Sequence, residues 1–178
     1  MADKLGSAKF VALMELVKRA ANADENLLLV DLSISSEAGE QFRMLSPAQK
    51  VKTIEQLASN APKVQAVMLD ACGLGTLHVE AVAKVLRQNR QLQFFSVENN
   101  ALNEADLLQL ADSVQGHPSL VELRLAEQRS PLSTAVAYRL AEAMEATPSL
   151  LKLRLGNLRD EQTRKRVEAA VMGNTERL

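Results

Sequence analysis

At 178 residues, 47% of them hydrophobic, the chain is long enough for a continuous core, and we expect residues 1–178 to form a single domain. The net charge is −1, and residues 1–89 (ten basic, ten acidic) and 90–178 (eleven basic, twelve acidic) are both balanced, which excludes the basic excess of a nucleic-acid binder. Aromatic residues make up 3%, too few for a surface that stacks bases.

The N-terminal segment predicts a capping helix at about residues 7–22. Lys9, Glu15 and Lys18 interrupt it, so it does not resemble the apolar run of a signal peptide. No later segment reaches the roughly 18 consecutive apolar residues of a membrane span. Cys72 is the only cysteine, which excludes a disulfide framework and a cysteine-based zinc site. We therefore expect a cytoplasmic protein with no membrane partner.

Five segments between about residues 27 and 158 match the leucine-rich repeat pattern L-x-x-L-x-L-x-x-N/C-x-L. The repeats begin 37, 28, 28 and 30 residues apart, which leaves room for a short strand and a helix in each unit. The pattern predicts an α/β solenoid with a parallel sheet of about five strands on the concave face and helices on the convex face. The apolar strand positions are Leu27, Val30, Leu32; Val64, Val67, Leu69; Leu92, Phe95, Val97; Leu120, Leu123, Leu125; and Leu150, Leu153, Leu155.

The segments between the strands have the apolar spacing of helices. Residues 77–89 place Leu77 and Leu86, with three apolar residues between them, on one helix face, and residues 104–117 and 135–147 repeat this spacing. Each helix should therefore pack its apolar face onto the sheet.

Helix starts are marked by capping residues. Ser46, Pro47 and Gln49 form a serine cap with proline at the first helical position, and Asn103 is a second cap. A last helix at about residues 160–174 is expected to cap the C-terminal end of the solenoid, because the outer strand would otherwise be exposed.

The turn after each strand needs a side chain that satisfies buried backbone groups. Asn100 is the ideal residue for this position, and Cys72 is a permitted variant. The apolar side chain of Leu158 cannot form such hydrogen bonds, so the solenoid is expected to end there. The longer first repeat predicts a loop at residues 35–45, in which Phe42, Met44 and Leu45 are expected to pack over the first repeat.

The sequence contains no complete catalytic or nucleotide-binding motif. Residues 73–78 (GLGTLH) begin like a dinucleotide-binding loop, but His78 stands where the third glycine belongs, and the segment coincides with a repeat turn. We expect a protein that is not an enzyme and needs no cofactor or metal.

The concave face is predicted to change from acidic to basic along the sheet. Its basic end contains Arg124, Lys152 and Arg154, and Met68 with Phe94 forms a small apolar island. One interpretation is a solvated face, on which Glu122 pairs with Lys152 across neighbouring strands. The alternative is an interface, because Arg124 and Arg154 on adjacent strands would both be exposed and would repel each other unless a partner supplied carboxylates.

A second basic group lies at the start of the last helix and consists of Arg159, Arg164, Lys165 and Arg166. Acidic residues are interspersed, which favours a solvated helix face over an interface.

Residues 92–178 resemble the C-terminal leucine-rich repeat domain of tropomodulins and leiomodins. The resemblance is carried by SVENNAL (96–102), by SLVELRLAEQR (119–129) and by PSLLKLRL (148–155) followed by a final helix ending in NTER (174–177). One departure is Glu127, where the family's asparagine is expected.

The resemblance implies a scaffold that binds actin or caps filament pointed ends, with a cytoskeletal location. It implicates Gln128, Arg129, the loop to Ser133 and the last helix. The family's N-terminal half has no counterpart here, so we expect a monomer without a tropomyosin site. The alternative is a repeat adaptor or inhibitor for another protein, without actin activity. The predicted partner-binding residues are Met68, Phe94, Glu122, Arg124, Gln128, Arg129, Lys152, Arg154, Arg164 and Arg166.

Overall fold

The computed structural model describes residues 10–60, 63–129, 131–158 and 160–176. Within these ranges, five short strands form one parallel sheet in the order β1-β2-β3-β4-β5. The strands are β1 Leu29–Asp31, β2 Ala66–Met68, β3 Phe94–Ser96, β4 Glu122–Arg124 and β5 Lys152–Arg154. The α-helices are α1 Val11–Ala21, α2 Glu37–Arg43, α3 Pro47–Asn60, α4 Val79–Gln88, α5 Glu104–Val114, α6 Thr134–Glu145 and α7 Glu161–Thr175. The predicted fold class is confirmed.

The strands pair without any shift in register. The middle residues Val30, Val67, Phe95, Leu123 and Leu153 stand opposite one another across the whole sheet. The first four of these side chains are buried under the helices, whereas the one on the outer strand β5 is only partly buried. This alternation of a buried centre with uncovered flanks leaves one side of the sheet open to a partner.

The two end helices lie close to their expected positions. The N-terminal helix, expected at about 7–22, is observed as α1, and residues 7–9 lie outside the described residues. The C-terminal helix, expected at about 160–174, is observed as α7, which packs on α6.

The predicted caps form as hydrogen bonds. The Ser46 backbone N–H donates to Gln49 Oε1 at 2.9 Å, and the Gln49 N–H donates back to Ser46 Oγ at 3.4 Å. At α5, the Asp106 N–H donates to Asn103 Oδ1 at 3.0 Å, and the Asn103 N–H donates to Asp106 Oδ2 at 2.9 Å. Both helices therefore begin where the sequence places them.

The loop predicted at residues 35–45 is instead mostly the short helix α2. Ser36 caps it, since Ser36 Oγ accepts from the Gly39 N–H at 2.9 Å. A Cβ on Gly39 would lie 1.8 Å from the Ser33 carbonyl oxygen, so only glycine lets this helix approach the turn after β1 so closely. Phe42 is buried as expected, but the prediction for Met44 was wrong, because its side chain is 68% exposed.

The prediction that Leu77 faces the core was also wrong. Residues Thr76–His78 form a 3₁₀ turn before α4, and a 3₁₀ turn advances by three residues per turn rather than 3.6. Leu77 consequently points to solvent with 76% of its surface exposed, and His78 takes the buried position.

The ladder of turn residues works as predicted at Asn100. Its amide nitrogen donates to the carbonyl oxygens of Leu69, Val97 and Glu98 at 2.9–3.0 Å, and Oδ1 accepts from the Leu74 N–H at 2.9 Å. The residue before the ladder position has a positive φ in the three middle repeats, at Ala71 (54°), Asn99 (54°) and Glu127 (58°).

Cys72 has no side-chain amide, and Lys50 supplies one of the hydrogen bonds that this turn needs. The thiol donates to the Leu32 carbonyl oxygen at 2.8 Å, and buried Lys50 donates from Nζ to the Cys72 carbonyl oxygen at 2.7 Å. The buried location lowers the pKa of Lys50.

A second series of polar residues joins the repeats where each helix ends. Asn89 Nδ2 donates to the Val64 carbonyl oxygen at 2.8 Å, and His117 Nε2 lies 2.8 Å from the Asn89 carbonyl oxygen. Thr147 Oγ1 donates to Val114 at 3.1 Å, again in the preceding repeat. Polar side chains thus link the middle repeats at both ends of their strands.

Candidate functional site

We call the uncovered side of the sheet the open face; it is formed by the first and third residues of each strand. In order along the sheet these are Leu29, Asp31, Ala66, Met68, Phe94, Ser96, Glu122, Arg124, Lys152 and Arg154. The register places Met68 beside Ser96 and diagonal to Phe94. Both Met68 and Phe94 are half-buried.

Next to the open face, Asp70 in the turn after β2 supports the neighbouring turn. Asp70 Oδ1 accepts hydrogen bonds from Ser96 Oγ and from the Glu98 backbone N–H, the latter at 2.8 Å. Its carboxylate thereby ties β2 to the turn after β3, which gives this negative charge a structural role.

The basic end of the open face is neutralised within the chain. Glu122 accepts two cations, with Arg124 Nε 2.5 Å from Oε1 and Lys152 Nζ 3.7 Å from Oε2. Arg154 Nε lies 3.1 Å from Glu98 Oε1. Each of the three cations therefore already has a carboxylate, and the pairing of Glu122 with Lys152 is the one that the sequence suggests.

The expectation that Arg124 and Arg154 are both exposed holds only for Arg154. The Arg154 side chain is 61% exposed, but that of Arg124 is only 34% exposed. The Arg124 guanidinium carbon lies 4.9 Å above the Phe94 ring centre, in a cation–π contact. Repulsion between the two arginines is consequently relieved without a partner.

Glu98 is the most constrained carboxylate on this face. Burial raises its pKa, and the Arg154 guanidinium opposes that shift. A partner's carboxylate would have to compete with Glu98 for Arg154. The sequence indicates the charge of Glu98 but not this pairing, because the two residues lie on strands that are not neighbours.

The turns after β4 and β5 form a second surface, which we call the C-terminal turns and define as residues 127–129, 131–133 and 156–158. Between them lies a cavity of about 220 Å³ with a largely polar lining. Arg129 is exposed, and its guanidinium makes no ion pair with any residue that the structure describes. It is the predicted site residue whose charge is most available.

Gln128 lies in the C-terminal turns but faces inward. Its amide nitrogen donates to the carbonyl oxygens of Val97, Leu125 and Ala126 at 2.9–3.3 Å, and Oε1 accepts from the Leu102 N–H at 3.2 Å. It thus occupies the ladder position of the fourth repeat and positions Arg129 rather than presenting its own amide.

The basic residues of the last helix also have partners within the chain. Arg166 contacts Glu145 on α6 through both guanidinium nitrogens, with Nη2 2.8 Å from Oε2, and this hydrogen bond raises the pKa of Arg166. Arg164 Nε lies 3.8 Å from Glu168 Oε1 on the same helix. Arg159 lies outside the described residues.

The buried groups of the described residues include one thiol and no grouped metal ligands. Burial raises the pKa of the Cys72 thiol to about 12, so it is protonated and a poor nucleophile. Among the residues that the structure describes, no three His, Cys, Asp or Glu side chains are grouped so that they could hold a metal ion. In the same part of the chain, no helix combines the length and apolar character needed to cross a bilayer.

Comparison with known proteins identifies the family. The family model of the TMOD/LMOD leucine-rich domain matches residues 12–177, nearly the whole chain. The chain belongs to the tropomodulin/leiomodin family. The resemblance of residues 92–178 is thereby confirmed and extends to the first repeat.

The relatives and structural neighbours agree with this family. Tropomodulin-4 of Homo sapiens and of Mus musculus are each 30% identical over 116 residues, which is 65% of this chain and 31% of each relative. The match thus covers less than a third of the length of these curated relatives. The tropomodulin C-terminal domain of Caenorhabditis elegans has a TM-score of 0.79 at 22% identity and covers 93% of this chain and 94% of its own.

A leiomodin domain has the same fold. The structure described as Leiomodin-1 Actin-Binding Site 2 (ABS2) has a TM-score of 0.78 at 20% identity, covering 92% of this chain and 89% of its own. At these identities, the two structures show the fold that the family shares.

Proposed function

We propose that this chain is a non-enzymatic scaffold that binds actin. The family match over residues 12–177 carries the proposal. It is supported by the similarity to the leiomodin structure, whose description names an actin-binding site and whose fold covers 92% of this chain.

The C-terminal turns are the surface that we assign to this interaction. Arg129 supplies a cation that forms no ion pair with a described residue, beside a polar cavity, and Gln128 holds the turn in place through its ladder hydrogen bonds. An exposed cation on a rigid turn suits an acidic partner surface, because little conformational entropy is lost on binding.

The open face and the last helix serve as flanking contacts in this proposal. Lys152 and Arg154 are the accessible cations next to the C-terminal turns, whereas Arg124, Phe94, Met68 and Glu122 shape the floor beneath them. Arg164 and Arg166 lie on α7 at the same end of the stack. In this proposal, Lys152, Arg154, Arg164 and Arg166 would contact the partner in competition with the carboxylates that they already face, those of Glu122, Glu98, Glu168 and Glu145.

The more specific proposal is that the chain slows growth at filament pointed ends as a cytoskeletal monomer, without tropomyosin. The test is elongation of actin from barbed-end-capped seeds, with and without the protein at micromolar concentration. We expect slower elongation in proportion to the protein added.

Arg129→Glu is the informative variant. We expect it to weaken the effect about tenfold, because reversal of an unpaired interface charge turns attraction into repulsion. The matched control is Lys63→Glu, which makes the same charge change at an exposed residue before β2, away from the C-terminal turns. This control should behave like the wild type.

Two results would contradict the proposal at different levels. No change in elongation and no co-sedimentation with filaments would exclude actin binding and favour an adaptor or inhibitor for another protein. Inhibition that survives Arg129→Glu but is lost in Lys152→Glu would keep actin as the partner and move the contact to the open face.

A further inference from the structure

An apolar groove lies at the opposite end of the stack from the C-terminal turns. It runs between α1 and α3, includes the corner that joins α2 to α3, and has a volume of about 690 Å³. Its apolar lining includes Phe10, Val17 and Leu45, which are partly buried against the core, together with Met14 and Met44. Neither a strand nor another helix covers it within the described part of the chain.

The two methionines are unusually accessible for apolar side chains. Met14 is 58% exposed and Met44 is 68% exposed. Large apolar groups that protrude along a groove mark an interaction site more often than an inert surface. Methionine also adapts its flexible side chain to different apolar partners.

The charges around the groove have one sign. Its lining contains two cations, Lys18 and Lys52, and no acidic residue, although the net charge of the chain is −1. Both lysines are exposed, and neither forms an ion pair with a described residue. By contrast, Arg19 on the next position of α1 is paired with Asp24 at 2.7 Å and lies outside the lining.

We propose that this groove binds an amphipathic helix of a partner protein that carries acidic residues beside its apolar stripe. Two walls made by helices, an apolar floor and a cationic rim suit the helix-in-groove mode, in which side chains at positions i, i+3, i+4 and i+7 enter the groove. The two lysines then pair with the acidic flank and favour one charge class of helix.

The charge of the rim disfavours two other occupants. Residues 1–9 precede the groove and carry two lysines and one aspartate, so they would bring like charge to it. A second copy of α1 would likewise place Lys18 against the same cationic rim. An acidic helix is the occupant that neutralises both lysines.

This site is independent of the proposed actin contact. It lies on the first helices, whereas the C-terminal turns follow β4 and β5 at the other end of the five-stranded sheet. The chain would thus hold two partners at once, and loss of one interaction would leave the other.

Two labelled peptides provide the test with the full chain. Each is a helix of roughly 18 residues with leucines at i, i+3, i+4 and i+7 spacing, flanked by glutamates in one peptide and by lysines in the other. Fluorescence anisotropy should show saturable binding of the glutamate peptide at concentrations below about 100 μM and at least about tenfold weaker binding of the lysine peptide.

The apolar floor is tested with Met14→Ser combined with Met44→Ser. Because both side chains are exposed, the fold should tolerate the change while the glutamate peptide binds about tenfold more weakly. The matched control is Met172→Ser on α7, an equally exposed methionine at 61%, which should bind the peptide like the wild type.

The rim is tested with Lys18→Glu combined with Lys52→Glu, which should invert the preference so that the lysine peptide binds more tightly. Equal affinity for both peptides, absence of saturable binding, or an equal loss in Met172→Ser would overturn the proposal. A dimer in sedimentation that the Met14→Ser and Met44→Ser changes dissociate would also overturn it, because a second copy would then occupy the groove. Stronger peptide binding in Leu5→Ser would overturn it as well, because the chain's own N-terminal segment would then compete for the groove.

Discussion

Asn100 and Gln128 perform the same task with side chains of different length. Each amide donates to three backbone carbonyl oxygens and accepts one N–H from the preceding repeat. The sequence predicts this role for Asn100, but the family resemblance assigns Gln128 to a partner. The repeat pattern also places Gln128 at the ladder position of the fourth repeat, three residues after Leu125, and its hydrogen bonds agree with that placement.

Glu127 adopts a backbone conformation that is unfavourable for its residue type. Its φ of 58° lies in the left-handed region, which asparagine adopts more readily than glutamate. The asparagine that the family is expected to have would therefore suit this backbone better. Glu127 is exposed, so its carboxylate changes the charge of the C-terminal turns next to Arg129.

His117 has a hydrogen-bond pattern that requires the neutral imidazole. Nδ1 accepts from the Leu120 N–H at 3.0 Å, and Nε2 donates to the Asn89 carbonyl oxygen at 2.8 Å. Burial lowers the pKa of His117 below its ordinary value of 6.5, and the charge of Arg90 lowers it further. Burial lowers the pKa of His78 as well.

These shifts predict that acid destabilises the protein. Below about pH 6.5 the unfolded chain binds protons that the folded chain excludes, so the free energy of unfolding falls as the pH falls. Urea unfolding at about pH 7.5 and about pH 5.5 should show the loss. His117→Gln keeps the donor to Asn89 but does not titrate, so its loss of stability between these pH values should be smaller; an unchanged loss would show that His117 is not responsible.

The strands are the elements that the sequence predicts best. In β1, β2 and β4 a buried apolar residue stands between two residues that are less buried, and a shift by one residue would expose this apolar centre, so the pattern determines the register. The helix α2 was not predictable in the same way, because its seven residues are too few to show a helical period and its close packing depends on Gly39. The 3₁₀ turn at Leu77 could not be predicted either, because its three residues are too few to show a helical period.

The difference between a central and an outer strand gives a matched pair of variants. Leu123 on β4 is fully buried, whereas Leu153 opposite it on β5 is only partly buried. We expect Leu123→Ala to lower the free energy of unfolding by about 2–5 kcal/mol and Leu153→Ala by less, because a smaller cavity is formed. Urea unfolding measures both; equal losses would contradict the assigned strand environments.

The contacts between charged side chains on the open face could not be predicted from the sequence of the strands. The sequence places acidic and basic residues on the correct side of the sheet. The pairing of Arg154 with Glu98, and the stacking of Arg124 on Phe94, depend on side-chain reach across strands. These contacts convert an apparently free basic cluster into a largely neutral network.

At the scale of the whole molecule, the two ends of the stack differ in how they are closed. At the C-terminal end, Asn174 of α7 is buried, and its amide nitrogen donates to the carbonyl oxygens of Met144, Thr147 and Leu150 at 2.8–3.0 Å. At the N-terminal end, α1 and α3 leave the apolar groove between them. The groove could not be predicted, because it depends on how far apart the two helices lie.

The closure of the C-terminal end can be tested with Asn174→Ala. Three carbonyl groups would lose the Asn174 amide as a donor, although those of Met144 and Thr147 each keep a backbone N–H, so we expect a loss of about 1–3 kcal/mol. Hydrogen exchange should accelerate mainly in α7 and at the end of α6, because each repeat contacts only its neighbours. Thr175→Ala is the control, since this exposed residue bonds only to Val171 in its own helix; uniform acceleration across all helices would contradict local closure.

The sequential strand order also determines how the molecule responds to tension. Hydrogen bonds between neighbouring strands run along the axis of the stack, and α1 and α7 lie at its two ends. A force that separates these helices therefore stretches the interfaces between repeats in series, rather than shearing them all together. The weakest interface yields first, so the domain would extend by peeling away single repeats and would behave as a compliant link between two attachments.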